Sequence, residues 1–109
     1  MRERTRATLE LMETIDVDEL AALDGVTLID VREPWEFEAG HVPSARSIPM
    51  SAFVERFEEV PRDETVYLIC ESGYRSSQVA QWVEGQGVEV VNVEGGTAAW
   101  RASGRDVAQ

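Results

Sequence analysis

The sequence predicts an α/β fold in which a small, mainly parallel central sheet of about five strands is flanked by helices on both faces. Short apolar runs rich in β-branched residues, at 26–31, 65–69 and 88–93, alternate along the chain with segments of helical spacing. Runs of this kind are typical of strands buried on both faces, and parallel neighbours require a crossover between them. The alternation therefore predicts strands joined by helical crossovers.

Length and charge narrow the class of protein. The 109 residues have room for one domain, which we expect at 13–109 after a lead at 1–12 that is a frayed helix or a disordered segment. The apolar runs are too short to span a membrane, and the charged N-terminus lacks a signal-peptide pattern, so we expect a cytoplasmic location. The net charge of −11 argues against a nucleic-acid partner. The acidic, lysine-free composition reflects either salt adaptation or a solvated acidic surface.

The first elements are predicted between residues 15 and 31. Residues 15–23 combine a short extended segment with apolar positions at helical spacing, so we expect a strand and then a helix. Asp16 is placed to cap that helix and Gly25 to end it. The run at 26–31 is short and almost wholly apolar, which predicts a central strand.

A loop-rich region follows the central strand. Pro34 suits the first turn of a short helix that stops at Gly40, and the stretch 41–49, with two prolines, predicts a fixed loop with a short strand near residues 47–48. Ser51 is placed to cap a further helix. The inner face of that helix would carry Phe53, Val54 and Phe57.

The second half of the chain repeats the pattern of strand and helix. The strand at 65–69 leads directly to Cys70, and Ser76 or Ser77 is expected to open the next helix. The last strand is followed by a short helix at 97–102. The three tryptophans, Trp35, Trp82 and Trp100, are expected to be core residues. Trp35 is the one expected to border a cleft.

Three strand ends should meet at one edge of the sheet. In open α/β sheets, sites form beyond the carboxyl ends of the strands, and here those ends lead to residues 30–33, 70–73 and 94–96. We therefore expect these loops to surround one cleft. Cys70 is the single cysteine, so it forms no internal disulfide and is either a small buried hydrophobe or a reactive thiol.

The loop after Cys70 favours the reactive interpretation. A strand that ends in cysteine, turns through Gly73 and enters a helix near Ser76 places the sulfur over unpaired backbone N–H groups. These groups, together with Arg75, favour an accessible thiolate. A thiolate attacks a sulfane sulfur and keeps it as a persulfide, which the same N–H groups would stabilise.

Three motifs stand in a fixed order along the chain. The upstream motif comprises Asp30-Val31-Arg32-Glu33-Pro34, Glu36-Phe37, Gly40-His41-Val42-Pro43, Ala45 and Ile48-Pro49. The loop motif is Cys70-Glu71-Ser72-Gly73-Tyr74-Arg75-Ser76. The closing motif is Gly95-Gly96 with Trp100. Together they resemble the signatures of the rhodanese (sulfurtransferase) family, whose single-domain members carry Cys-x-x-Gly-x-Arg-Ser.

The resemblance implies a rhodanese-like fold, with a small parallel sheet between helices, and no metal or organic cofactor. It implies transfer of sulfur from thiosulfate, or from a protein or small-molecule persulfide, to a thiophilic acceptor: cyanide in vitro, a thiol or a protein in vivo. Cys70 would be the nucleophile, and the sulfur cradle would comprise Glu71, Ser72, Gly73, Tyr74 and Arg75. Supporting residues would be Asp30, Arg32 and Ser76. We expect a monomer or a weak homodimer.

Several side-chain roles are open at this point. Arg75 would either pair with an anionic donor or close the loop through hydrogen bonds to backbone carbonyls. Arg32 is expected to fix loops through an ion pair with Asp30, Glu33 or another acid. His41 is expected to be a hydrogen-bonded structural residue rather than a general base.

Glu71 follows the cysteine directly, where many active relatives place a basic or neutral residue. At about 6 Å and an effective dielectric of about 20 to 80, its charge would oppose a dianion by about 1 to 3 kcal/mol. We therefore expect modest turnover of thiosulfate and a different physiological donor, such as a protein persulfide.

Two alternatives compete with sulfur transfer. A phosphatase or arsenate reductase of the same fold also uses a cysteine and an arginine in one loop, but it needs five residues between them, whereas Cys70 and Arg75 have four. A non-catalytic binding or regulatory module would dock on a partner and would make no use of a thiolate. The loop residues favour sulfur transfer over both.

Overall fold

The computed structural model describes residues 12–109, which are built around one sheet of five strands. The strands are β1 (Thr14–Ile15), β2 (Thr27–Asp30), β3 (Arg46–Ser47), β4 (Val66–Ile69) and β5 (Val90–Val93). Their order in the sheet is β1-β5-β4-β2-β3, and every neighbouring pair is parallel. The predicted α/β class and the predicted sheet are confirmed.

Helices connect the strands within residues 12–109. They are α1 (Val17–Ala21), α2 (Pro34–Glu38), α3 (Tyr74–Gly85), α4 (Gly96–Ala102) and the 3₁₀ segments Met50–Ala52 and Phe57–Glu59. As predicted, Asp16 caps α1 by accepting a hydrogen bond from the backbone N–H of Glu19 at 2.8 Å. Pro34 occupies the first turn of α2. Each of these helices is too short or too polar to cross a lipid bilayer.

The sheet separates two hydrophobic cores. One core contains Ile29, Leu68 and Cys70 together with residues of α3. The other contains Leu28 and Ile69 together with residues of α1 and α4. Neighbouring strand residues alternate between the two cores because successive side chains of a strand point to opposite faces of the sheet. Helices therefore cover both faces, as the sequence predicted.

The predicted lead at 1–12 lies outside the described residues, except for its last member. Met12 packs against the core on the α3 side of the sheet. The boundary between a lead and a domain starting at residue 13 stays a prediction.

The segment after β3 differs from the prediction. Instead of a helix capped by Ser51, residues 50–59 contain two 3₁₀ segments joined by turns, with N–H groups such as those of Ala52, Phe53 and Glu59 bonded to carbonyls three residues back. The hydroxyl of Ser51 donates to Oε1 of Glu33 at 3.1 Å. Phe53 and Phe57 are buried as predicted, but Val54 is exposed, because a tighter turn changes the face on which each residue lies.

Two further expectations change in detail. The short strand predicted near 47–48 is β3, which begins one residue earlier. Trp35 is 72% exposed, so its predicted place in the core is wrong; α2 buries none of its residues fully. Trp82 is partly buried against the edge of Phe57, with ring centroids 4.9 Å apart, and Trp100 is buried.

Candidate active site

The carboxyl ends of β2, β4 and β5 meet around Cys70, as predicted. Cys70 follows β4 directly, and its carbonyl oxygen accepts hydrogen bonds from the backbone N–H (2.9 Å) and the hydroxyl (3.0 Å) of Thr97 in α4. The loop after β4, which carries Cys70, and the loop after β5, which leads into Gly96, lie very close together. A Cβ at Gly96 would overlap the carbonyl groups of Cys70 and Glu71. The loop after β2 joins them through an ion pair between Arg32 and Glu71 at 3.2 Å.

Three donors converge on the sulfur of Cys70. The backbone N–H groups of Gly73 and Ser76 lie 3.1 and 3.2 Å from Sγ, and the Ser76 hydroxyl lies 3.3 Å from it. α3 begins at Tyr74 rather than at Ser76 or Ser77 as expected, because Gly73, with a φ of 103°, turns the chain directly into the helix. Ser76 is thereby the third residue of α3, where an N–H has no partner within the helix.

The surroundings of Cys70 differ in two ways from the expected ones. The residue is 1% exposed, so the thiol is not accessible in this conformation. Within residues 12–109, the backbone donors to Sγ are Gly73 and Ser76, so Gly73 is the one member of the predicted cradle 71–75 that donates. A thiol that served only as a small hydrophobe would not collect three polar donors, and the hydrogen bonds therefore favour the reactive interpretation.

Asn92 is a site residue that the sequence reasoning missed. Its amide oxygen accepts a hydrogen bond from the Ser76 hydroxyl at 2.5 Å, and its amide nitrogen donates to the carbonyl of Gly73 at 3.2 Å. It thus holds both residues that donate to the sulfur of Cys70. The available signal was an asparagine within a β-branched run, since a buried polar side chain in a strand requires partners.

Within residues 12–109, Arg75 does not close the loop through backbone carbonyls, whereas its pairing with an anionic donor stays a prediction. Its Nη1 and Nη2 donate to the two carboxylate oxygens of Glu36 at 2.8 and 2.9 Å, a bidentate ion pair between α3 and α2. The hydrogen bond from Arg75 is the main reason that the pKa of Glu36 falls to about 2, with the backbone N–H of Glu33 also contributing. The same hydrogen bond raises the pKa of Arg75. Glu36 was part of the recognised motif, but no role was assigned to it.

Arg32 has the structural role that was expected for it. Its guanidinium is buried and donates to both carboxylate oxygens of Asp30 at 2.9 to 3.2 Å, and to the carbonyl of Gly40 at 2.9 Å. Burial opposes the charge of Arg32, but the hydrogen bond and the charge of Asp30, with a smaller contribution from Glu71, raise its pKa. This pair fixes the loop after β2 beside the loop that carries Cys70.

The charge of Glu71 is compensated, which corrects the argument made from the sequence. Its Oε1 lies 3.2 Å from Nη1 of Arg32, and its Oε2 lies 3.2 Å from Nη1 of Arg101 in α4. A carboxylate between two guanidinium groups repels a dianion less than a free one does. Arg101 was not among the predicted residues, because nothing in the order of the motifs shows that α4 folds back onto this loop.

The remaining predicted residues lie at the rim or outside the site. Ser72 and Tyr74 are exposed, and the Tyr74 hydroxyl accepts a hydrogen bond from the side chain of Gln78 at 3.2 Å. His41 stacks on Phe37 with ring centroids 3.6 Å apart, and its Nδ1 lies 2.7 Å from the Phe37 carbonyl oxygen, as expected of a structural residue. Among residues 12–109, no three His, Cys, Asp or Glu side chains are grouped to hold a metal ion.

Known proteins share this architecture. The model of the rhodanese-like domain family matches residues 11–103. The uncharacterized protein YqhL of Bacillus subtilis is 41% identical over 92 residues, 83% of this chain and 73% of that protein. A sulfurtransferase of Allochromatium vinosum is 38% identical over 86 residues, 78% of this chain and 80% of that protein. The crystal structure of a rhodanese-related protein from Thermoplasma volcanium, 31% identical, superposes with a TM-score of 0.81 over 88% of this chain and 97% of that one. The chain therefore belongs to the rhodanese-like domain family.

Proposed function

We propose that this protein is a sulfurtransferase that carries a sulfane sulfur on Cys70 as a persulfide and passes it to a thiophilic acceptor. The observation that carries this proposal is the convergence on Sγ of the backbone N–H groups of Gly73 and Ser76, with the Ser76 hydroxyl 3.3 Å from the same sulfur, at the start of α3. Donors aimed at a sulfur favour its anionic forms, the thiolate and the persulfide alike. The related sulfurtransferase of Allochromatium vinosum supports the same reaction class.

The reaction consists of two displacements and needs no oxidant or reductant. The Cys70 thiolate attacks the sulfane sulfur of the donor and the donor's S–S bond breaks, so that sulfite leaves with the bonding electrons if the donor is thiosulfate, or a thiolate if it is a persulfide. An acceptor thiolate, or cyanide in vitro, then attacks the terminal sulfur, and Cys70 leaves as a thiolate. Neither displacement includes a proton transfer when the attacking group is a thiolate, in keeping with the structural role of His41.

Each site residue has a part in this scheme. Gly73 and Ser76 donate to the sulfur through their backbone N–H groups, and Asn92 holds both in place. The buried pair of Arg32 and Asp30 fixes the neighbouring loop. No step uses a metal or an organic cofactor.

The setting of the reaction is also part of the proposal. A reducing cytoplasm would keep the single thiol of this chain free for the cycle. The partners would be a small sulfur donor or a persulfide-bearing protein, and a thiol or a protein as acceptor. The protein would work as a monomer or a weak homodimer, without nucleic acid or membrane.

Mass spectrometry of the intact protein tests the proposal. After incubation with thiosulfate or with an alkyl hydropersulfide, we expect a gain of one sulfur atom that is absent in Cys70→Ser and that cyanide removes as thiocyanate. Ser103→Ala, an exposed serine change at the end of α4 and outside the site, is the matched control and should keep the adduct. If neither donor gave an adduct, sulfur transfer would be contradicted and a binding or regulatory module favoured.

A further inference from the structure

We propose that Glu36 sets the donor specificity of this site by competing with anionic donors for Arg75, so that singly charged persulfides are favoured over the thiosulfate dianion. The inference rests on the proposed sulfur transfer and deepens it by naming the class of donor. It assigns to Glu36 the discrimination that the sequence alone attributed to Glu71.

The geometry of the pair leaves Arg75 little to offer a donor. Both of its terminal nitrogens are bound to the Glu36 carboxylate at 2.8 and 2.9 Å, in the fork arrangement that makes arginine a strong ligand for carboxylates. Arg75 directly precedes Ser76, whose N–H binds the sulfur, so it belongs to the segment that forms the sulfur site. Glu36 balances the charge of this guanidinium and holds one N–H of each terminal nitrogen, so an anionic donor that approaches Arg75 competes with Glu36 for its charge.

Glu36 is held where it is by a second contact. Its Oε1 also accepts a hydrogen bond from the backbone N–H of Glu33 at 3.0 Å, as part of the capping box of α2. The Glu36 side chain is 15% exposed, whereas that of Arg75 is 34% exposed. The carboxylate is therefore a fixed competitor, because leaving Arg75 would also strain or break its bond at the start of the helix.

The wider charge balance points the same way. Among residues 12–109, the arginines that lie in or contact the loop 70–76 are paired with carboxylates: Arg32 with Asp30 and Glu71, Arg75 with Glu36, and Arg101 with Glu71. Three positive and three negative side chains give these groups a formal charge of zero. A dianion entering this site would gain no net attraction, while a persulfide with at most one negative charge has less to lose.

Glu36 is a better candidate than Glu71 for this discrimination. Glu71 is 41% exposed and contacts two arginines with one oxygen each, so it neutralises neither arginine completely. In the described part of the chain, Glu36 pairs with one arginine, Arg75, and does so with both carboxylate oxygens. Removing its charge would free one guanidinium at the loop for an anionic donor.

The rate of sulfur loading onto Cys70, followed by mass spectrometry, tests this proposal. We expect Glu36→Gln to raise the ratio of the thiosulfate rate to the alkyl hydropersulfide rate by roughly 3- to 30-fold, since one opposing charge is removed at a screened distance. Glutamine keeps an oxygen that can accept from the N–H of Glu33. Glu38→Gln is the matched control, because it makes the same change on an exposed position of the same helix and should leave the ratio unchanged.

The outcomes separate this proposal from the proposed function. Because the ratio compares two donors on one protein, a partial loss of folded protein cancels. A ratio that stays constant or falls in Glu36→Gln, or that rises equally in Glu38→Gln, would overturn the role of Glu36 while leaving sulfur transfer intact. Failure of the wild type to take up sulfur from either donor would instead contradict the proposed function itself.

Discussion

The amide oxygen of Asn92 in β5 accepts a hydrogen bond of 2.5 Å from the hydroxyl of Ser76 in α3, and that hydroxyl also lies 3.3 Å from the sulfur of Cys70. A hydroxyl has one proton, so it serves one of these acceptors at a time. When the Ser76 hydroxyl donates to Asn92, its oxygen can accept a hydrogen bond from a Cys70 thiol. When the sulfur is anionic, the hydroxyl can rotate and donate to the sulfur instead. The strand thereby positions the helix residue that faces the sulfur.

Removing Asn92 should weaken both the fold and the sulfur site. Asn92→Ala removes two hydrogen bonds, one to the buried Ser76 hydroxyl, which keeps Cys70 Sγ at 3.3 Å, and one to the Gly73 carbonyl, which keeps the N–H of Ser77 at 3.2 Å. At about 0.5 to 1.5 kcal/mol for each bond, we expect a loss of about 1 to 3 kcal/mol in the free energy of unfolding. Combined with Ser76→Ala, the loss should be smaller than the sum of the single losses by about 0.5 to 1.5 kcal/mol. Urea unfolding measures these values.

A distant serine serves as the control for this coupling. Ser103 bonds only to the Trp100 carbonyl at the end of α4, among the side-chain contacts in residues 12–109, so Ser103→Ala and Asn92→Ala should be additive. Additivity between Asn92→Ala and Ser76→Ala would show that the two side chains do not act together.

Gly96→Ala should be among the most damaging single substitutions. Gly96 has a φ of 58°, and a Cβ there would overlap the carbonyl groups of Cys70 and Glu71, so the closing loop would have to move away from the cysteine loop. We expect a destabilisation of about 3 kcal/mol or more. Gly104→Ala is the control: its φ is 83°, but nothing lies within 4 Å of the added Cβ, so it should cost only about 1 kcal/mol. Equal losses in thermal unfolding would refute the close approach at Gly96.

Arg32→Met should destabilise the protein by about 3 to 5 kcal/mol, because it leaves the carboxylate of Asp30 buried without its cation. Adding Asp30→Asn should restore part of the loss, since no buried charge then remains. Arg105→Met breaks a partly exposed pair with Asp18 and a contact with Trp100, and should cost at most about 1 kcal/mol. Chemical denaturation compares the variants, and a small effect of Arg32→Met would show that the buried pair is not needed.

The pair of Glu36 and Arg75 predicts a specific dependence of stability on acid. The pKa of Glu36 is lowered in the folded protein from 4.5 to about 2. Between these pH values, Glu36 therefore binds fewer protons in the native state than in the unfolded state. Its stabilisation is present above about pH 4.5 and is lost as the pH falls towards 2. Allowing for solvent screening, we expect about 1 to 2 kcal/mol.

Unfolding free energies of the wild type and Glu36→Gln at pH 7 and pH 3 measure this contribution. The difference between the two proteins should be larger at pH 7 than at pH 3. Glu38→Gln, at an exposed position of the same helix, should follow the wild type at both pH values. A difference that grew in acid would contradict the direction of the Glu36 pKa shift.

The fold was largely predictable because its central strands are continuous apolar runs separated by helical segments. β2, β4 and β5 lie within the predicted runs, and the cap at Asp16 and the turn at Pro34 follow local rules of helix geometry. Where the prediction failed, at 50–59, the spacing of Phe53 and Phe57 suited an α-helix as well as 3₁₀ turns, and the tertiary packing decided between them.

The site was predictable where it depends on the backbone and less so where it depends on distant partners. The order of strand, cysteine, glycine and helix was sufficient to place donors around the sulfur of Cys70. The partners of Arg75 and Glu71 come from α2 and α4, about 30 to 40 residues away in the sequence. Charge spacing along the chain carries no information on such pairings, so the roles of Glu36 and Arg101 became visible only through the fold.

The burial of Cys70 bears on how a sulfur cargo would be kept and handed over. A side chain that is 1% exposed is shielded from the small thiols and peroxides dissolved around the protein. Loading of a sulfur at that depth and its release would both require the loop 70–76 to open to the donor or acceptor, and a persulfide would be shielded between these two events. Specificity for the acceptor would then come partly from shielding the persulfide sulfur, in addition to any affinity for the correct acceptor.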